Sequence, residues 1–112
     1  IIAPYKRTLL LALNRDHQGL NNIRRDPKIM INLCEKEDLN ISARCDARVQ
    51  KERMDCNVHM CVVRADIVDI KDDSTHSYTT GGIRYRCKTE KGEGFIRGVF
   101  DELCEIAAGL EK

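Results

Sequence analysis

Apolar and polar positions change period along this chain, and the changes divide it into elements. Residues 5–15 carry Leu9, Leu10 and Leu13 at helix-compatible spacing, and the polar stretch 17–22 with Gly19 holds no period. That part reads as a helix and a loop. Asp26-Pro27 then places an N-cap acid before a proline at the first helical position, which predicts a second helix to about Asp38 with Ile29, Met30, Leu33 and Cys34 along one side. The alternation of Ile29, Ile31 and Leu33 keeps a strand as the alternative there.

From Ile41 the period becomes two. Ile41, Ala43, Cys45, Ala47 and Val49 alternate with Ser42, Arg44, Asp46, Arg48 and Gln50, which fits a strand with one buried face. Residues 57–70 are rich in β-branched side chains and read as a second strand, followed by a polar turn at 71–74. A third strand is predicted over 77–88 with Tyr78, Ile83, Tyr85 and Cys87, its Gly81-Gly82 pair marking a bulge or a close backbone approach. After a turn at 91–94, Phe95, Ile96, Val99, Phe100, Leu103, Cys104, Ile106, Ala107 and Leu110 follow helical spacing and predict a C-terminal amphipathic helix. The expected fold is α+β: N-terminal helices, then a three-stranded antiparallel sheet covered by the last helix. One domain spans 1–112, with 1–25 as a loosely attached helix and loop.

Six cysteines in 112 residues add a covalent layer to this picture. Their even number and wide scatter (Cys34, Cys45, Cys56, Cys61, Cys87 and Cys104) read as a disulfide framework and so as a secreted, extracellular protein. Three bridges at roughly 2–4 kcal/mol each would stabilise a domain whose own core is small. A turn centred near Arg53 puts Cys45 opposite Cys61, and one near Ser74 puts Cys61 opposite Cys87. The three then form a row with Val63, Ala65, Ile67, Ile83 and Tyr85, beneath the last helix and Cys104. Cys87 to Cys104 is the favoured bridge, with Cys34 and Cys56 a peripheral pair; sequence alone leaves the connectivity open.

Charge and aromatic content narrow the partners. Nineteen Lys and Arg against eighteen Asp and Glu leave a net charge of +1, and there are two Phe, three Tyr and no Trp. No cationic field or base-stacking platform argues for nucleic acid. The apolar run Leu9-Leu10-Leu11-Ala12-Leu13 is too short for a signal-peptide core or a membrane span, so no span is expected. A chain starting at Ile1 reads as a mature or trimmed product, with the dibasic pairs Lys6-Arg7 and Arg24-Arg25 as processing candidates. Asn40-Ile41-Ser42 is a glycosylation sequon.

Candidate chemistry is sparse. His59, His76, Arg84 and Glu90, with Glu93 and Arg86, are the residue types that acid–base cleavage of RNA needs, although His59 shares the parity of the predicted core face. Cys56-x2-His59-x-Cys61 holds three zinc-ligand types, but an extended strand turns Cys56 and Cys61 to opposite faces and no second pair exists; no metal and no cofactor are expected. Gly92-x-Gly94 is more simply a tight turn than an anion cradle, and 71–77 is the loop a protease inhibitor would present.

The segment Thr80-Gly81-Gly82-Ile83-Arg84-Tyr85-Arg86-Cys87, a short polar loop, and the helical run from Phe95 to Cys104 resemble small cysteine-rich proteins secreted by filamentous fungi, including effectors and killer-toxin-like proteins. The resemblance covers about a third of the chain and carries no catalytic residue. It implies a secreted effector or toxin that binds a host or target-cell protein or surface. A small secreted ribonuclease-like hydrolase and a protease inhibitor are the alternatives.

Overall fold

The computed structural model describes residues 1–34, 39–73 and 86–110. Among them are β1 (Ile2–Tyr5), β2 (Thr8–Asn14), α1 (Gln18–Arg25), β3 (Lys28–Cys34), β4 (Asn40–Lys51), β5 (Met60–Asp72) and α2 (Glu90–Ala108). The strands form one antiparallel sheet in the order β1-β2-β5-β4-β3. One helix packs on each face. Leu20 and Ile23 of α1 lie on Leu9, Ala43, Cys45, Ala47, Cys61, Val63 and Ala65. On the opposite face Leu103 of α2 packs with Leu10, Met54 and Val62. The two ends of the sequence are brought together where the Tyr5 hydroxyl donates to the Leu110 carbonyl at 2.6 Å.

This overturns the three-stranded sheet and the N-terminal helices. Residues 8–14 are an interior strand, paired with β5 from Thr8 opposite Asp66 to Asn14 opposite Met60. With α1 on one face and α2 on the other, Leu9 and Leu10 are both buried and the period-two signal of a half-buried strand is lost. The helix falls in the stretch read as loop, capped by His17, whose Nδ1 accepts from Gly19 N at 2.8 Å. Asp26 and Pro27 end it. Asp26 is the C-cap, its N–H donating to Asn22 O at 2.8 Å, and Pro27 has no N–H to continue the helix. The next residues take up the strand alternative, with Ile29, Ile31 and Leu33 half-buried and their neighbours exposed. Of the expected third strand, 77–85 lies outside the described residues, and 86–88 are not in a strand.

The disulfide framework is also overturned. None of the six cysteines is bonded to another. Cys45 lies opposite Ile67, and Cys61 lies opposite Leu13, because the β4–β5 connection is longer than a turn centred at Arg53 allows. The two do share a face, but α1 covers it, and Cys104 is exposed on a helix over the other side. Under α1 the sheet presents Ala43, Cys45, Ala47, Cys61 and Ala65, small side chains that let a short helix sit close. The buried cysteines act there as small apolar residues. Burial pushes both thiols up, further from thiolate.

Candidate protein-binding surface

The carboxyl half of α2 packs on the core, and among the described residues its amino half before Val99 adds no apolar side chain to that core. Thr89 begins the helix, its Oγ1 accepting from Gly92 N at 3.0 Å, and Glu90 and Glu93 in the first turn suit the positive helix end. The residues expected to form a turn at 91–94 are thus the first turn of the helix. Further along, Leu103 is buried, and Val99, Ile106, Ala107 and Leu110 pack on the same cluster.

A buried carboxylate fixes the helix to the β4–β5 connection. Glu102 is 6% exposed. Its Oε1 accepts from Cys56 N at 2.7 Å, and its Oε2 accepts from Asp55 N at 2.9 Å and Lys51 Nζ at 3.1 Å. Burial pushes this carboxyl up, but the two N–H groups and the ammonium outweigh it and hold the pKa below the ordinary carboxylate value. Lys51 also pairs with Asp55 at 3.0 Å, and that bond, with Glu102, raises the pKa of its ammonium. Sequence reading missed Glu102; the only signal was an acid beside Leu103 within the apolar stripe.

Beyond this anchor Phe95, Ile96 and Phe100 are 40%, 50% and 54% exposed. Ile96 and Phe100, four apart, are neighbours on the helix surface, and Phe95 stands on the turn before Phe100 on the other flank of the buried side. The chain has two Phe and no Trp, so both of its largest apolar side chains stand on this outward stripe. Arg97 and Glu93 pair beside it at 2.9 Å.

The other sequence candidates do not converge. His59 is exposed in the β4–β5 connection, not packed in the core; its backbone N–H donates to Asn57 Oδ1 at 2.9 Å. Glu90 is exposed at the start of α2, Arg86 is exposed just before it, and His76 and Arg84 lie outside the described residues. Cys56 is exposed and Cys61 is buried in the sheet, and among the described residues no group of three His, Cys, Asp or Glu is placed to hold a metal ion. The Cys56 thiol is pushed up by burial and by the Glu102 carboxylate, the reverse of an activated nucleophile. The Asn40 side chain of the sequon is half-buried, its Nδ2 donating to Asp73 O at 3.4 Å, and the Ser42 hydroxyl donates to Asp73 Oδ2. Of the 71–77 loop, Lys71 and Asp72 belong to β5, and 74–77 lie outside the described residues. No described helix is long and apolar enough to cross a membrane.

The chain matches no known protein-family model and no curated protein sequence.

Proposed function

We propose that the protein acts by binding another protein through the amino half of α2. The observation that carries this reading is the exposed Phe95, Ile96 and Phe100 stripe on a helix held rigidly by its own buried half. Burying a large aromatic side chain at an interface contributes roughly 1.5–3 kcal/mol, and aromatic residues are enriched among the side chains that dominate binding. A stripe fixed before contact loses little further entropy on docking. The resemblance to secreted fungal effectors and toxins makes a target-cell protein the first class of partner to test. That form of the reading, secretion included, rests on the resemblance and the sequon, because the cysteines no longer support it.

The test places a photo-reactive phenylalanine analogue at Phe95 and irradiates the protein on intact target cells. A single cross-linked protein, displaced by unlabelled wild type but not by Phe100→Asp, supports the reading. Labelling that Phe100→Asp displaces as well as wild type does removes the stripe from the interaction. An RNA-cleavage assay of His59→Ala runs alongside, and activity lost with folding intact would favour the hydrolase instead.

A further inference from the structure

We propose that β3, an edge of the sheet among the described residues, is where two copies of this chain pair, joining their sheets antiparallel about a two-fold axis at Ile31. Among the described residues the sheet has two edges, and they are treated differently. β1 is four residues long, contains Pro4, and its pairing with β2 shifts register between Ile2 and Tyr5. Short length, proline and an irregular ladder are the devices that keep edges from pairing. β3 has none of them. It runs seven residues in unbroken register with β4, from Lys28 opposite Asp46 to Cys34 opposite Asn40, and proline occurs only before it.

The backbone shows which groups point outward. Ala47 N donates to Pro27 O at 2.7 Å, so residues 27, 29, 31 and 33 bond to β4, and 28, 30 and 32 turn their N–H and C=O groups to the side away from β4. The Lys28 N–H is taken by Asp26 Oδ1 at 3.1 Å. Pairing centred on Ile31 needs only the Met30 and Asn32 groups, each N–H of one copy donating to the other residue's carbonyl in the second copy, four hydrogen bonds in all. Centring on Met30 would require the occupied Lys28 N–H.

The side chains favour a second copy in this same register. Ile29 falls opposite Leu33 and Ile31 opposite itself, continuing the half-buried apolar row on the α1 face. Met30, 62% exposed, falls opposite Asn32 on the other face. Lys28, the only charged side chain of the strand, meets Cys34 and never another lysine. Strand pairing leaves no like charges opposed, which is the usual barrier to self-association of an edge. The contact is isologous and closes at two copies, since among the described residues the remaining edge of each copy is β1.

Sedimentation equilibrium of the full chain tests this. The mass is expected to rise with concentration from 12.8 kDa toward twice that value. Met30→Pro removes an outward N–H without touching the β3–β4 ladder and should hold the mass at the monomer value with the urea midpoint retained. If Met30→Pro unfolds, cross-linking decides. With the four exposed cysteines replaced by serine, oxidation should join Met30→Cys to Asn32→Cys when the two variants are mixed, and neither variant to itself. A wild type that stays monomeric at its highest soluble concentration overturns the proposal. So does a dimer that survives in folded Met30→Pro, and if Phe100→Asp then dissolves that dimer, the contact belongs to the α2 stripe.

Discussion

Replacing Glu102 isolates the contact that holds α2 to the β4–β5 connection. The carboxylate accepts two backbone N–H bonds at 2.7 and 2.9 Å and faces Lys51 at 3.1 Å. Hydrogen bonds to a charged group contribute about 1.5–3 kcal/mol each. Asp55 and Cys56 are exposed, so water can reach their N–H groups once the carboxylate is gone, and the lower end of that range applies. Glu102→Ala should therefore cost about 3 kcal/mol, or roughly 12 °C in Tm at about 4 °C per kcal/mol for a domain of this size. Glu102→Gln keeps one acceptor but turns an NH2 group toward a donor, and should cost about 1–3 kcal/mol. The pH dependence has a definite sign. The folded carboxyl titrates below the ordinary 4.5, so its contribution is complete above that pH and is lost as pH falls through the lower folded value. Urea unfolding of wild type and both variants, at neutral pH and through the acid range, measures all of this. The variants should converge on wild type in acid. Equal stability of Glu102→Gln and wild type at neutral pH, or a gap that persists undiminished in acid, would refute the reasoning.

Two further outcomes follow from the core. All six cysteines should take up an alkylating reagent under denaturing, non-reducing conditions, and in the native protein Cys45 and Cys61 should react far more slowly than the exposed set; an intact mass six hydrogens below the reduced value would restore the disulfides. Leu103→Ala, at the centre of the α2 core, should cost about 2–5 kcal/mol while Phe100→Asp leaves the urea midpoint nearly unchanged, and comparable losses in both would mean that the stripe is core.

What was legible in the sequence depended on how many faces each element buries. β4 shows its alternation because Arg44, Asp46 and Arg48 are exposed where no described helix covers the sheet. α2 shows its stripe because the stripe is long. β2 carries neither signal, since two helices bury it from both sides and leave a run of leucines that spacing alone assigns to a helix. α1 is eight residues with two buried, too few to show a period against its polar neighbours. Asp26-Pro27 is ambiguous for a chemical reason: the missing N–H that suits a helix start also ends one. The exposed stripe was visible as residues but not as a surface. Phe95 and Phe100 have the same spacing as Leu103, and only the position of α2 relative to β1 and β2 separates the ones that face outward.

The bond from Tyr5 to Leu110 spans 105 positions of sequence. α2 packs on β1 and β2, the first strands made, so half of the core has no partner until the last helix has been synthesised. During synthesis Leu10, Ala12 and Val62 are exposed on one face even after the sheet and α1 have formed. Closure through such distant contacts makes folding slow and concentrates the risk of aggregation before α2 arrives.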